Sequence, residues 1–250
     1  MSGGVVETPG ACTPTCRVAM DLVRIRDVQR SIDRFGDRYL RRVYTDHELW
    51  TRASIPGATG VPPTDAGTAA TGLAARFAAK SATLKILQAS GVLSDLRTVE
   101  ILHHPEGARG VSLSGDAASA AAEAGIGRIR VSLSLGGGTA SAIATAVSNA
   151  TYDPPSGTGR TGPARRGAVD ELDERIRSLL NDHGRLPDDG VAIGEDDDLY
   201  RSGLTSHAGI NVLLAVEEEF GVTIPAPTVA GGSFRSIAAI RDAVRAAACH

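Results

Sequence analysis

Aromatic residues are scarce in this chain, 4% of 250 positions, and there are one Trp, two Met and three Cys. Three cysteines cannot build a disulfide framework. Cys12 and Cys16 form a C-x-x-x-C in a Pro-bearing leader with no second ligand pair, and Cys249 adjoins the C-terminus. Unpaired thiols in a reducing compartment are the expectation, rather than a metal site. No stretch reaches the roughly 18 consecutive apolar residues that a membrane span requires. Met1 to Thr15 lacks the basic start and apolar run of a signal peptide. The chain is therefore expected to be cytoplasmic, with no membrane partner.

What is present suits two modest domains: 42% hydrophobic residues and 22% charged. The formal net charge of −3 hides a division. From Arg17 to Ala150 there are 16 Lys and Arg against 12 Asp and Glu; from Val169 to His250 there are 7 against 15. A basic half joined to an acidic half implies that the two meet, and it excludes nucleic acid as partner of the second half. The plainer alternative is that each charge set is only solvated. Asp153 to Gly167, rich in Pro, Gly, Ser and Thr, reads as a linker. The expected organisation is a leader over 1–16, a first domain over 17–150, a flexible linker over 151–168 and a second domain over 169–250.

Hydrophobic periodicity sorts the first domain into mixed elements. Val18-Ala19-Met20 reads as a short strand ending in Asp21. Val28, Ile32 and Phe35 mark an amphipathic helix stopped by Gly36, and Thr45 with Glu48 has capping-box spacing. Residues 54–70 read as a mobile loop. A long helix follows over 70–90, with Leu73, Phe77, Leu84 and Leu87 as its stripe and Gly91 as its stop. Val99 to Leu102, Val111 to Leu113 and Ile129 to Ser134 read as strands, with an Ala-rich helix from Ala117 to Ala124 before the last. Gly136-Gly137-Gly138 is a turn into a further strand, Ala140 to Val147. Mostly antiparallel α+β is the fold class. In the second domain Leu172, Ile176 and Leu180, then Ile210, Leu213 and Leu214, then Ile237, Ile240 and Val244 form three apolar faces. They predict a small all-α bundle of three or four helices.

Two stretches resemble known families. Met20-Asp21-Leu22-Val23-Arg24-Ile25, Arg34-Phe35, Arg41-Arg42-Val43-Tyr44-Thr45 with Glu48, Arg76-Phe77-Ala78-Ala79-Lys80 and Ser132-Leu133-Ser134 occur in the order seen in holo-acyl-carrier-protein synthases. Gly203-Leu204-Thr205-Ser206, Glu217-Glu218-Glu219-Phe220-Gly221-Val222 and Ile224-Pro225 resemble an acyl carrier protein. The resemblance implies a 4′-phosphopantetheinyl transferase fused to a four-helix carrier. Such an enzyme uses coenzyme A and Mg2+, works as a homotrimer with sites between subunits, and serves fatty-acid-like or secondary metabolism. It also implies that 4′-phosphopantetheine is attached to Ser206. A catalytically degenerate scaffold, displaying a carrier that a separate transferase primes, is the alternative.

Phosphoryl transfer is mostly positioning and charge neutralisation, so a metal carboxylate and cations near phosphate are required. Asp21, at a strand end, matches the family's first metal ligand; by its position alone it could equally cap the next helix. Asp21 and Lys85 are the candidate catalytic pair, and Lys80 with Lys85 the candidate phosphate cations. On the same helix Ser81 interrupts an apolar stripe, and a buried polar group needs a partner. Ser81 stands where the family has the Glu that is its second metal ligand, and Leu135 follows Ser134 where the family has His. Ser134 is assigned to cofactor binding by the resemblance. Magnesium can still be held by one carboxylate, phosphates and water.

Ser206 is the candidate attachment serine, expected to be exposed where a loop meets a helix; Thr205 or Ser206 as a simple N-cap is the other reading. Thr205 replaces the family's Asp and His207 its Leu. Glu217, Glu218 and Glu219 are expected to face Arg24, Arg26, Arg30 or Arg34. No Lys-Ser/Thr follows the glycine run, so it is a hairpin turn rather than a phosphate loop. His103-His104 is a loop end. A linker of about 15 to 20 flexible residues spans roughly 20 to 27 Å and holds the carrier at an effective concentration of order mM, enough to modify its own serine or that of an adjacent subunit.

Overall fold

The computed structural model describes residues 15–51, 66–87, 95–103, 109–148, 171–186, 193–225 and 234–248. The expected linker, most of the 54–70 loop, Gly91, His104, Cys12 and Cys249 lie outside these residues. In the first half the elements run β1 (Thr15–Arg24), α1 (Ile25–Phe35), α2 (Asp37–Val43), α3 (Asp46–Trp50), α4 (Ala66–Leu87), β2 (Val99–His103), β3 (Arg109–Leu113), α5 (Gly115–Glu123), β4 (Ile126–Gly136) and β5 (Thr139–Ser148). The acidic half contributes α6 (Glu171–Gly184), α7 (Ser206–Phe220) and α8 (Ile237–Ala248), the three α-helices of the expected bundle that fall among the described residues.

Both sheets are antiparallel. One is three-stranded in the order β1-β5-β4; the other pairs β2 with β3. The hairpin between β4 and β5 turns on Gly137 and Gly138, both at positive φ (57° and 73°). That pair of left-handed residues is what a tight two-residue turn with the natural strand twist requires. The strand expected over Val18 to Met20 is longer and begins at Thr15, so Thr15 and Cys16, assigned to the leader, are in the ladder opposite Ser148 and Val147. Pairing with β5 supplies backbone partners that three apolar residues in sequence do not reveal. The loop expected to end at Ala70 is likewise shortened, because α4 already starts at Ala66.

Alternation on β5 buries Ala140, Ala142, Ala144 and Ala146. These small side chains let α4 settle close on the sheet, and α4 answers with Ala74, Ala75, Ala78, Ala79 and Ala82, all buried, around Leu73 and Phe77. The helix is thus buried over most of its circumference, with apolar residues on most sides. The expected stripe of Leu73, Phe77, Leu84 and Leu87 is buried in full.

At the centre of this helix lies a charge. Lys80 has no exposed side-chain surface, and its Nζ lies 2.6 Å from Glu48 Oε2, equally buried. The other two donors of the ammonium go to the carbonyls of Val43 (2.9 Å) and Leu96 (3.0 Å). Glu48 also accepts from the backbone N–H of Thr45 and of Ile101. It closes the capping box that opens α3. One buried pair therefore joins α2, α3, α4 and β2. Burial holds Lys80 below the ordinary lysine value, and Glu48 pulls it back. An ammonium with all three protons used has none for a phosphate, so the expectation that Lys80 faces coenzyme A is corrected: it is a structural node.

Removing one member of a buried pair strands the other charge. Lys80→Met is expected to lower the free energy of unfolding by about 3–5 kcal/mol, and Lys80→Met with Glu48→Leu by less. Urea denaturation checks it; a Lys80→Met midpoint equal to wild type would show that the pair bears no such weight.

Candidate functional site

The three residues expected at the site from the first half arrive on two neighbouring elements. Asp21 is on β1, on the face turned to α4, opposite Ala142. Ser81 and Lys85 follow one another by one turn on α4. Lys85 Nζ is 2.6 Å from Asp21 Oδ1 and also donates to the Met20 carbonyl. The side chain of Asp21 is 13% exposed and that of Lys85 40%, so the pair is open on the lysine side. Ser81 is buried on α4.

The acidic half brings Ser206 to this place. Thr205, the residue before it, caps α7 by accepting from the Ala208 N–H, so the N-cap reading belongs to Thr205 and not to Ser206. Ser206, at the first helical position, receives a hydrogen bond from Ser81 Oγ at 3.0 Å. Ser206 is only 6% exposed, against the expectation of an exposed serine. The reason is tertiary: the start of α7 is seated on the first half. Ser206 lines a cavity of about 380 Å3 together with Asp21, Leu22, Lys85, Tyr200 and Leu204. A carboxylate, an ammonium and a hydroxyl thus face one space.

The seating is held in two ways. Arg34 (3.4 Å) and Arg38 (3.9 Å) reach Glu218, while Arg38 (3.5 Å) and Arg42 (4.0 Å) reach Glu217. Arg38 and Arg42 also donate to the carbonyls of Leu214 and Ile224. Of the arginines expected to meet the acidic run, only Arg34 does so. Arg26 and Arg30 lie near Asp27, Arg24 lines a separate cavity beside Gly137 and Gly138, and Glu219 pairs with Arg175 of α6. Arg38 and Arg42 were missed although the spacing of 34, 38 and 42 is legible; Gly36, at φ 53°, lets the chain turn from α1 into α2 and keeps that row facing one way. A further ion pair joins Arg185, just past α6, to Asp27 at 2.5 Å.

The second hold is an inserted ring. His207, the residue after Ser206, is 7% exposed and stands edge-on to Tyr39 (centroids 5.8 Å apart) and Phe77 (5.1 Å). Sequence reading noted it only as a departure from a pattern. Burial lowers its pKa to about 4; Asp27 and Asp21 act against that shift and Arg185 with it.

Ser134 does not join the site of its own chain. It pairs across β4–β5 with Ser141, which in turn pairs with Leu22. That register puts it on the outer face of the sheet, the opposite side from Asp21. Leu135 is 41% exposed near the hairpin turn.

A family model described as the 4′-phosphopantetheinyl transferase superfamily matches residues 17–144, and one for a phosphopantetheine attachment site matches 174–243. The holo-[acyl-carrier-protein] synthase of Paramagnetospirillum magneticum is 38% identical over 102 residues, 41% of this chain and 70% of that protein. The aminoacyl carrier protein of Agrobacterium fabrum is 36% identical over 74 residues, 30% of this chain and 89% of that one. Among solved structures, the holo-[acyl-carrier-protein] synthase of Neisseria meningitidis shares 28% identity at a TM-score of 0.42, covering 52% of this chain and 96% of that one.

An undocked His207 titrates near the ordinary value of about 6.5, whereas the seated ring has its pKa at about 4. A proton therefore binds the undocked form more tightly. The contribution of His207 to docking is complete above pH 6.5 and is lost as pH falls from there toward 4, by about tenfold per unit in the docking equilibrium. Small-angle scattering is expected to show the molecule expanding over that window, with the change flattened in His207→Phe. A constant radius of gyration from pH 7.5 to 4.5 would contradict it.

Proposed function

This chain belongs to the 4′-phosphopantetheinyl transferase superfamily, and on that premise we propose that it transfers the 4′-phosphopantetheine of coenzyme A to Ser206 of its own carrier domain. It is a transferase carrying an acyl-carrier-like domain; the self-directed transfer is the finer reading. One observation carries it: the hydrogen bond from Ser81 to Ser206, at a cavity shared with Asp21 and Lys85. In this reading a transferase unit over about 17–150 and a carrier unit over about 169–250 are joined by the segment 151–168.

Ser206 Oγ attacks a phosphorus of the pyrophosphate. A new O–P bond forms, the P–O bond to adenosine 3′,5′-bisphosphate breaks, and the hydroxyl proton leaves to the open side of the cavity. Such transition states are loose and ask little of a base. What they require is position, and the bond accepted from Ser81 holds the Ser206 oxygen in place while leaving its own proton free. Lys85, open to solvent on one side, is the cation for the phosphate charge once Asp21 is engaged elsewhere.

Asp21 is the single carboxylate of the cavity lining, and no group of three His, Cys, Asp or Glu side chains among the described residues is arranged for a metal. That donor set fits Mg2+ entering with the pyrophosphate, held by one carboxylate, phosphate oxygens and water. When bound, the ion neutralises charge on the phosphates. Ser81 orients Ser206 through their hydrogen bond.

Assembly with other copies is part of the proposal. Val18, Met20 and Leu22 of β1 and Ile143 and Val147 of β5 are 45–65% exposed on the outer sheet face, the face that carries Ser134. An apolar face of this kind calls for a covering partner, and a trimer would place Ser134 against a neighbour's site.

Purified protein with coenzyme A and magnesium is expected to gain the mass of one phosphopantetheine. The gain disappears in Ser206→Ala and slows roughly 100-fold in Asp21→Ala; intact mass spectrometry reads both. A gain appearing only after a separate promiscuous transferase is added would overturn self-transfer in favour of the displayed-carrier scaffold. Calorimetry is expected to show magnesium binding in the presence of coenzyme A and none to the protein alone. Tight binding by the protein alone would overturn the single-carboxylate assignment.

A further inference from the structure

The contact around His207 has more polar detail than an apolar plug requires. Ser31, on α1, is 2% exposed and lies on the helix face that otherwise buries Val28 and Phe35. Its Oγ has three polar neighbours: the Asp27 carbonyl at 2.9 Å, Asn211 Oδ1 at 2.8 Å and His207 Nε2 at 3.3 Å. A serine hydroxyl owns one proton, and the Asp27 carbonyl and the Asn211 oxygen both compete for it. Toward His207 the oxygen is therefore an acceptor, which requires the neutral ring to carry its proton on Nε2. His207 and Asn211 stand one turn apart on α7 and address the same hydroxyl.

We propose that Ser31 on the transferase half and the His207–Asn211 pair on the carrier half are a matched polar lock that selects this carrier over carriers with an apolar residue after the attachment serine. The assignment rests on the reading that Ser206 is the acceptor. The ring fills a slot between Tyr39 and Phe77 and finds one hydrogen-bond partner at its end. An apolar side chain of similar size fills the same slot but satisfies nothing, and it leaves the Ser31 oxygen buried with its accepting side unmet. Buried polar groups lose most when one partner alone is removed, and little when both become apolar. The arginine row around Glu217 and Glu218 carries no such discrimination, because part-exposed ion pairs contribute little individually and an acidic helix is a common property. Ser31, His207 and Asn211 are positioning residues: they touch no phosphate and act by seating Ser206.

The test uses the full chain and two readouts, the rate of the coenzyme A-dependent mass gain and the docked fraction from small-angle scattering without coenzyme A. His207→Leu and Ser31→Ala are each expected to slow modification about tenfold and to expand the molecule. Combined, they are expected to return within about threefold of wild type, because the buried Ser31 and His207 are then both apolar and Asn211, only part-buried, can turn to water. His207→Gln, which keeps a donor, is expected to stay close to wild type, and it decides the matter if His207→Leu fails to fold. Wild-type rates and compactness in His207→Leu, or a double variant as slow as the product of the single effects, would overturn the lock. A compact wild type that gains no mass would reject self-transfer while the scattering series still judges the lock.

Discussion

Ser206 lies at one cavity with Asp21 and Lys85, and the seating of α7 on α1, α2 and α4 puts it there. Its cost is the desolvation of Ser81, Ser206, Ser31 and His207. Each has a hydrogen-bonding partner within 3.3 Å in the seated state. A carrier that arrives slightly rotated would strand several of these groups at once. Polar contacts buried between two surfaces therefore set register in a way that the more exposed pairs of Arg34 and Arg38 with Glu218 do not.

The first half is built to present a rigid face to that docking. Lys80 and Glu48 sit where α2, α3, α4 and β2 converge and satisfy backbone groups from three of them. Five residues apart on the same helix, and so on different faces, Lys80 is locked inside while Lys85 stays open toward the cavity. One lysine holds the scaffold and the other pairs with Asp21 at the cavity, and the alanines of β5 and α4 allow the close helix–sheet packing between them.

Charge acts at longer range. The basic row 34, 38 and 42 against Glu217 and Glu218 draws the two halves together and is weakened by salt. His207 adds a pH-dependent step to the same contact, since its neutral ring fits the slot between Tyr39 and Phe77 and its charged form does not. The Ser206 hydroxyl is largely covered in the seated state, so undocking is needed before it can meet any other partner. The arginine row and the histidine lock set how readily that occurs.

Local rules were enough for much of this architecture. Gly36, the Thr45–Glu48 capping box, the Gly137–Gly138 turn and the apolar stripe of α4 each state their role through backbone geometry or period. The residue types of the candidate site, Ser81 and Lys85 among them, are conspicuous as polar groups on an apolar helix; Asp21, expected at a strand end, lies inside β1, which pairing with β5 carries on to Arg24. Period and spacing say nothing of which polar group lies inside. Lys80 and Lys85 look alike in sequence, and only the arrival of Glu48 from another helix separates them. The exposure of Ser206, the choice of Arg38 and Arg42 over Arg26 and Arg30, the outer-face position of Ser134 and the meeting of Ser31 with His207 were decided by tertiary structure. Each depends on which surfaces come together, for Arg42 and Ile224 across 182 residues of chain, a distance over which local propensity carries no information.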